Sequence, residues 1–310
     1  MSGVNDGARE LSIVVVSYNA AATIERCLDA LVPQCAASNE IIVVDSGEDE
    51  TASIVAAKFP GVKLIHCDAR RYPGAARNIG IENARGELVG FVDADCVAAP
   101  DWVATVLRAH RAEHPVIGGV VDNASPAGVL GWAIYFCEFH QWMPGTPAGP
   151  MVEIPTCCLA VKRWALERFG PFRSDGYCSD TAFNWKLGRS GFAPRFDPAI
   201  RVAQIYEPTL AFFVRKQLMH GRAFARMRVA EEGFSTPRRL AYAALSPALP
   251  VVLSWRLLRR VLARGVYRAR LLASAPLVFA GLCLWSLGEL VGYAAPPDRR
   301  TLGVTPTVTS

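Results

Sequence analysis

Two aspartates separated by one residue follow a buried-strand pattern in the first third of the chain. Asp93 and Asp95 come directly after the apolar run Leu88–Val92. Two carboxylates separated by one residue in a turn can bind a hard divalent cation. The remaining coordination sites of the cation can then be filled by phosphate oxygens and water. Such aspartates are also common in turns and helix caps, so this spacing alone leaves both interpretations open.

Other phosphate-binding and metal-binding patterns are absent from the sequence. It contains neither G-x-x-x-x-G-K-[ST] nor G-x-G-x-x-G, so a metal would have to neutralise a bound phosphate. The nine cysteines include no C-x-x-C pair, and this indicates reduced thiols rather than a zinc site or a disulfide framework. With 51% hydrophobic and 20% charged residues, the chain is too apolar to be disordered.

Short apolar strands and helical patterns alternate on either side of these aspartates. Strand patterns at 11–16 and 41–44 flank a helical pattern for which Asn19 is the predicted N-cap. Further helices are expected near 51–58, 74–84 and 101–113, and further strands near 62–66, 88–92 and 116–121. This alternation predicts an α/β fold with a mostly parallel sheet flanked by helices.

The residues that end three of the predicted strands are polar. They are Ser17-Tyr18-Asn19, Asp45-Ser46-Gly47 and Asp93-Ala94-Asp95. Open α/β sheets bind ligands beyond the carboxyl ends of their strands. We therefore expect these three groups to converge on one edge of the sheet and to form the functional site.

Several motifs in a fixed order resemble the family 2 glycosyltransferases. They are Ser12-Ile-Val-Val-Val-Ser-Tyr-Asn19, Val43-Val-Asp-Ser46, Ala76-Arg-Asn-Ile-Gly80, Phe91-Val-Asp-Ala-Asp95, Phe169-Gly-Pro-Phe172 and Ser179-Asp180, with Leu187 and Gly191 beyond them. The resemblance covers about residues 11–228 and implies the GT-A fold and a nucleotide-sugar donor. Because all of these motifs occur together and in order, the resemblance is far more specific than a match to any single motif.

The resemblance implies a role for each matching residue. Tyr18 would stack on the donor base, Asp45 would accept hydrogen bonds from base or ribose, and Asp93 would approach the ribose. Asp95, with Asp93, would hold Mg²⁺ or Mn²⁺ at the diphosphate. The implied donor-binding set is Ser17, Tyr18, Asp45, Arg77, Asn78, Asp93 and Asp95.

Asp180 matches the position of the family's catalytic base. It begins a predicted helix in which Phe183 and Leu187 form an apolar pair, so the helix dipole would keep its carboxylate ionised. A purely capping aspartate is the alternative. The implied reaction is a direct displacement with inversion, in which Asp180 takes the proton of an acceptor hydroxyl.

The chain departs from the family pattern in three places. Ser179 stands where an acid usually precedes the base, and no His follows in the segment 201–206, where many members have a metal ligand. The segment 217–222 lacks the Q-x-x-R-W motif of processive synthases, and this favours transfer of a single sugar. The first two departures leave open an inactive nucleotide-sugar-binding membrane scaffold. A nucleotidyltransferase is a weaker alternative.

The C-terminal third is basic and apolar. Residues 213–310 contain 15 Lys and Arg against four Asp and Glu, a net +11. Because these charges flank long apolar stretches and no nucleic-acid motif is present, they predict a membrane partner rather than nucleic acid. Residues 271–295 are long enough to span the roughly 30 Å hydrocarbon layer, whereas 240–255 predicts an interfacial or re-entrant segment. A two-helix hairpin is the alternative.

These patterns predict a cytoplasmic transferase domain over 1–235 and a membrane-associated tail over 236–310. We expect the enzyme at the cytoplasmic face of the cell membrane, because no signal-peptide pattern begins the chain. The position of the tail suggests a lipid-linked or saccharide acceptor, as in surface polysaccharide or glycolipid assembly. Candidate acceptor or phosphate contacts are His140, Trp142 and Arg222, although the aromatic stripe around 132–142 is also typical of core packing.

Overall fold

The computed structural model describes residues 9–125, 128–206 and 208–295. The described residues form two compact units, one within Met1–Ala127 and Gln141–Glu207 and one within Gly128–His140 and Pro208–Ser310. The parts of the predicted domains at 1–8 and 296–310 lie outside the described residues. The predicted domain boundary at residue 235 stays a prediction.

The described residues form nine strands and eleven α-helices. The strands are β1 (Leu11–Ser17), β2 (Asn39–Asp45), β3 (Lys63–His66), β4 (Leu88–Asp93), β5 (Cys96–Ala98), β6 (Val116–Asn123), β7 (Gly149–Pro150), β8 (Leu159–Lys162) and β9 (Arg195–Gln204). The helices are α1 (Ile24–Leu31), α2 (Thr51–Lys58), α3 (Pro73–Asn83), α4 (Trp102–Ala109), α5 (Val129–Phe139), α6 (Arg163–Phe169), α7 (Ser179–Arg189), α8 (Leu210–Glu232), α9 (Thr236–Leu245), α10 (Leu249–Arg264) and α11 (Arg268–Ala294). The strands and helices α1–α4, α6 and α7 lie in the first unit.

The nine strands form a single sheet in the order β3-β2-β1-β4-β8-β6-β9-β5, with β7 beside β9. Strands β3, β2, β1 and β4 pair in parallel, as do β6 and β9. Strand β8 is antiparallel to both β4 and β6, so β6 runs in the same direction as β1–β4. Only β5, β7 and β8 run the other way, and the predicted mostly parallel α/β sheet is confirmed.

The centre of the sheet is buried on both faces because its strands are continuously apolar. Ile13, Val14 and Val15 of β1 are inaccessible to solvent. Helix α3 crosses β1 at close range, since a Cβ placed on Gly80 would lie 2.3 Å from Val14 Cγ1. A glycine at this position therefore sets how near α3, and the side chains it carries, can approach the strand ends.

Some details of the sequence-based expectations are wrong. Asn19 does not cap α1, which begins five residues later at Ile24. Instead it adopts a left-handed conformation with φ 52°, and its Oδ1 accepts the Glu48 N–H at 2.9 Å. Helix α4 ends at Ala109 rather than near 113. Strands β5, β7, β8 and β9 were not predicted, because β5, β7 and β8 have four residues or fewer and β9 contains Pro198.

The described part of the second unit consists of helices, and α8 and α11 pack closely through glycines. A Cβ on Gly221 would lie 2.1 Å from the Trp285 carbonyl oxygen, and one on Gly288 would lie 2.3 Å from the Leu218 carbonyl oxygen. Close backbone approach through small residues is typical of helix pairs in membranes. Trp132, Tyr135 and Phe136 of α5 are buried within this unit, as core packing requires.

Two C-terminal segments are long and apolar enough to cross a membrane, judged by length and composition. They are Thr236–Arg264 and Arg268–Ala294. The second contains nearly all of the predicted transmembrane segment 271–295. The first is longer than the predicted interfacial segment 240–255, because α9 continues through a short turn into α10. Both features fit membrane association.

The burial of the sheet centre predicts that a truncation in β1 destabilises the fold. Val15→Ala should lower the free energy of unfolding by about 2 kcal/mol, since it removes two buried methyl groups and leaves a cavity beside β2 and β4. Val152→Ala is the matched control, because the Val152 side chain is 74% exposed. Chemical denaturation of the detergent-purified chain would measure both. Equal losses in the two variants would contradict the described core.

Candidate active site

The carboxyl ends of β2, β1 and β4 bring the first site residues together. In the parallel register, Ser17 lies opposite Asp45, and Val16 lies opposite Asp93. The predicted convergence of these strand ends is therefore present in the structure. Asp45 is fully buried, whereas the Asp93 side chain is 31% exposed.

Asp45 is held by a residue that sequence reasoning missed. Its Oδ2 lies 2.9 Å from His66 Nδ1, and its Oδ1 accepts the Gly47 N–H at 3.3 Å. His66 ends β3 and lies beside Asp45 in the parallel register. The strand-end rule used for β1, β2 and β4 would have identified His66 had it been applied to β3.

Two serine hydroxyls at the same strand ends have no hydrogen-bond partner among the described residues. Ser17 Oγ and Ser46 Oγ are both buried. Buried polar atoms normally have hydrogen-bond partners, so two neighbouring hydroxyls without one need an explanation. A polar ligand at this edge would supply one.

The exposed Tyr18 ring is in contact with a cation. The guanidinium carbon of Arg70 lies 4.3 Å from the ring centroid, a distance typical of a cation–π contact. Arg70 also donates to Tyr177 Oη at 3.1 Å. Stacking of a donor base on this face of Tyr18 would therefore require Arg70 to move or to stack on the base as well.

Helix α3 contributes Arg77 and Asn78 in two different ways. The Arg77 guanidinium donates to Asp93 Oδ1 at 2.8 Å, and its side chain is only 5% exposed. Asn78 binds the backbone of Phe172 twice, since its Nδ2 donates to the carbonyl oxygen at 2.8 Å and its Oδ1 accepts the N–H at 2.9 Å. Arg77 thus reaches the strand-end carboxylates, while Asn78 fixes the segment before α7.

Asp95 is bound by the end of β9. Gln204 Nε2 donates to Asp95 Oδ2 at 2.9 Å, and the Ile205 N–H donates to the Asp95 carbonyl oxygen at 2.7 Å. No group of three or more His, Cys, Asp or Glu side chains that could hold a metal occurs within the described ranges. The Asp93 and Asp95 oxygens fit a hard divalent cation that takes its other ligands from phosphate and water.

Asp180 lies in the first turn of α7, after Cys178 in a left-handed conformation. The Thr181 N–H donates to Asp180 Oδ1 at 3.0 Å. Burial raises the pKa of the neighbouring Glu153 to about 7, the negative charge of Asp180 adds to this effect, and a hydrogen bond with the Thr181 side chain opposes it. Sequence reasoning missed Glu153, because no motif surrounds it.

One buried cysteine is influenced by the charges of all three aspartates. The Cys157 thiol lies within electrostatic range of Asp93, Asp95 and Asp180. Cys157 is buried, with 2% of its surface exposed to solvent. The charges at the carboxyl end of β4 and in the first turn of α7 thus act on the same buried thiol.

The three acceptor candidates are in different environments. Trp142 belongs to the first unit, and its Nε1 donates to the Glu153 carbonyl oxygen at 2.8 Å. His140 is buried in the second unit, with Nδ1 2.8 Å from the Phe136 carbonyl oxygen and Nε2 2.8 Å from an Arg260 nitrogen. Burial, followed by the Arg260 charge, lowers the pKa of His140 to about 3, so its ring is neutral.

The third candidate, Arg222, is exposed on α8. None of these contacts tests the roles assigned from sequence, so the acceptor assignments stay predictions.

Residues 12–173, more than half of the chain, match the family Glycosyl transferase family 2. The chain therefore belongs to this family. Over 120 residues it is 40% identical to the succinoglycan biosynthesis protein ExoO of Rhizobium meliloti, covering 38% of this chain and 34% of that protein. Over 169 residues it is 29% identical to the glycosyltransferase AglE of Haloferax volcanii, covering 52% of this chain and 55% of that protein.

The fold is similar to that of the mannosyltransferase PcManGT of Pyrobaculum calidifontis, whose structure contains GDP-Man and Mn²⁺. The TM-score is 0.58 at 21% identity, and the match covers 92% of this chain and 88% of that one. At this identity the likeness shows the fold, and it confirms the expected GT-A type. The chain spans only about a third to a half of the two sequence relatives.

The Arg77–Asp93 ion pair is expected to contribute to stability. Arg77→Ala should lower the free energy of unfolding by about 1–3 kcal/mol, because it leaves the Asp93 carboxylate without its donor. Arg77→Lys should recover part of this loss. Arg111→Ala, at an exposed position, is the control and should change stability by less than about 0.5 kcal/mol. Denaturation curves that coincide for Arg77→Ala and Arg111→Ala would argue against the ion pair.

Proposed function

We propose that the protein is an inverting, metal-dependent glycosyltransferase. It moves a single sugar from a nucleotide-diphosphate sugar to an acceptor hydroxyl. The observation that carries the proposal is the convergence of Asp45 and Asp93 at the carboxyl ends of β2 and β4, on either side of β1, in a chain of glycosyl transferase family 2. The polysaccharide role of one relative, which its name states, supports a place in surface polysaccharide or glycolipid assembly.

The donor nucleotide would bind at the carboxyl ends of β1, β2 and β4. Asp45 is a fixed hydrogen-bond acceptor for base or ribose, because His66 and Gly47 already orient its carboxylate. The unpaired hydroxyls of Ser17 and Ser46 are suited to a polar ligand. Arg77 supplies a positive charge beside Asp93 and would reduce the repulsion between this carboxylate and a diphosphate.

Asp95 and Asp93 would hold Mg²⁺ or Mn²⁺ together with the diphosphate of the donor. Such a cation stabilises the charge that develops on the leaving diphosphate. Gln204 would keep the Asp95 carboxylate in one orientation. The Mn²⁺ in the structure of PcManGT supports this proposal.

Asp180 would act as the general base. The acceptor O–H bond breaks and its proton passes to the Asp180 carboxylate, while the acceptor oxygen forms a bond to the anomeric carbon. The bond from that carbon to the diphosphate breaks, and its electron pair leaves with the nucleoside diphosphate. Attack opposite the leaving group inverts the configuration, and no covalent enzyme intermediate is needed.

The acceptor would be lipid-linked, and the enzyme would lie at the cytoplasmic face of the membrane. Two long apolar segments support membrane association. Arginines 256, 259, 268 and 270 are exposed near the connection between these segments, where they suit anionic headgroups. An inactive nucleotide-sugar-binding scaffold is the second candidate, favoured by Ser179 and by Gln204 in the segment where many family members have a histidine.

The catalytic prediction concerns nucleoside diphosphate release by the detergent-purified chain, measured across a panel of nucleotide sugars. Release from one donor should require Mg²⁺ or Mn²⁺ and stop with chelator. Asp180→Asn should reduce it about 10²- to 10⁴-fold, the usual contribution of a general base, while donor affinity by calorimetry stays unchanged. Asp95→Ala should weaken donor binding in the presence of metal.

Asp175→Asn is the matched control for this experiment, because within the described part of the chain Asp175 pairs with the nearby Arg173 and lies outside the proposed site. Tight donor binding without release, even with membrane-extract acceptor, would support the scaffold. Release of pyrophosphate instead of nucleoside diphosphate would indicate a nucleotidyltransferase.

The membrane prediction concerns vesicle binding. Replacing Arg259, Arg268 and Arg270 together by Gln should weaken binding to phosphatidylglycerol-containing vesicles by about 3 kcal/mol, at about 1 kcal/mol for each arginine near an anionic surface. Flotation at low and high salt would measure this change. Replacing Arg108, Arg111 and Arg189, which lie in the first unit, is the control. Equal binding to neutral and anionic vesicles would contradict the proposed role of the arginines.

A further inference from the structure

Glu153 is an acidic residue of the first unit that has no assigned role. It is half-buried, and its side chain interacts with Asp180 and Thr181 at the start of α7. The residue directly before Asp180 is Ser179, where the resemblance leads one to expect an acid. Glu153 therefore brings a second carboxyl group to Asp180 from a distant part of the chain.

Two hydrogen-bonding side chains fix the segment that carries Glu153. Trp142 Nε1 donates to the Glu153 carbonyl oxygen at 2.8 Å. Asn184 Nδ2 donates to the carbonyl oxygens of Ile154 at 3.0 Å and Asp180 at 2.8 Å. The same amide thus ties the segment that carries Glu153 to the first turn of α7.

Asn184 also provides an independent indication of a ligand. Its side chain is 0% exposed, and its Oδ1 has no hydrogen-bond partner among the described residues. A buried acceptor without a donor is costly. A ligand hydroxyl or a water beside this oxygen would supply the missing donor.

The charge state of Glu153 depends on groups of α7. Burial is the main cause that raises the Glu153 pKa, repulsion by Asp180 raises it further, a hydrogen bond with the Thr181 side chain lowers it, and the resulting pKa is about 7. The Trp142 indole donates to the Glu153 backbone and not to its carboxyl group. A carboxyl group of this kind can take up or release a proton near neutral pH, as acid–base chemistry requires.

We propose that Glu153 receives the acceptor proton from Asp180. The proposal rests on the glycosyl transfer described above. After the acceptor O–H bond breaks and Asp180 takes the proton, the proton passes to the ionised Glu153 carboxylate and then to water. Asp180 is thereby returned to its ionised form for the next turnover, and Glu153 acts as a positioning and relay residue rather than as the base.

The test is the pH dependence of kcat for nucleoside diphosphate release with acceptor. In the wild type kcat should fall as the pH drops through about 7, because Glu153 is then already protonated. In Glu153→Gln this fall in kcat with decreasing pH should be absent. Above pH 7 its kcat should be about ten- to a hundredfold lower than that of the wild type, toward the lower end of general acid–base contributions. The donor KM should be unchanged. Glu113→Gln, at an exposed position, should behave as wild type.

Thr181→Val provides a second variant that leaves Glu153 in place. Loss of the hydroxyl hydrogen bond removes an interaction that favours ionised Glu153, so the midpoint of the pH profile should move to higher pH. A merely structural role of Glu153 would change the melting temperature and leave the midpoint where it was. An unchanged profile in both variants would overturn the proposal.

A measurement without turnover separates this proposal from the proposed function. Carbon NMR of glutamate-labelled protein should show one carboxyl signal that titrates near pH 7, disappears in Glu153→Gln and titrates at lower pH in Asp180→Asn. Absence of transfer in the wild type at every pH would overturn the proposed function and the relay with it. Normal transfer with no such signal would overturn the role of Glu153 alone.

Discussion

The parallel pairing of β1 with β2 and β4 is the constraint on which the candidate site depends. Ser17 is level with Asp45, and Asp93 is level with Val16, because these strands pair in register from their first residues. A slip by one residue would turn every side chain to the opposite face. The continuous apolar character of these strands buries both faces, and their packing against helices such as α3 fixes one register.

Once the register places carboxylates at one edge, the surrounding elements must supply partners for them. Asp45 is bound by His66 from β3, Asp93 by Arg77 from α3, and Asp95 by Gln204 from β9. Burying a charge without a partner is costly. The ends of β3 and β9 and the first turns of α3 are thus tied to the site by electrostatics as well as by backbone hydrogen bonds.

The sequence allowed the parallel half of the sheet to be predicted, because its strands are apolar runs that end in polar residues. The same rule located Ser17, Asp45, Asp93 and Asp95. It could not locate Gln204, since β9 contains a proline and alternates between buried and exposed residues. Glu153 could not be found from any local pattern, because its environment is created by Asp180, which is distant in sequence. Asn19 was misassigned because a side chain suited to capping also suits a left-handed turn.

The distribution of polar residues in the second unit supports the proposed membrane association. Glu138 and Lys216 form an ion pair at 2.9 Å with side chains only 10% and 16% exposed, while Leu272 and Val251 are largely exposed. Exposed apolar side chains that are grouped in one region, unlike single ones, mark an interaction surface or a membrane contact. Leu272 and Val251 belong to the two segments long enough to span, where exposed apolar side chains would face lipid. Helix α8 carries five Lys or Arg and two Glu, so the close contact of Gly221 and Gly288 joins the apolar segment Arg268–Ala294 to a charged helix outside the two membrane-length segments.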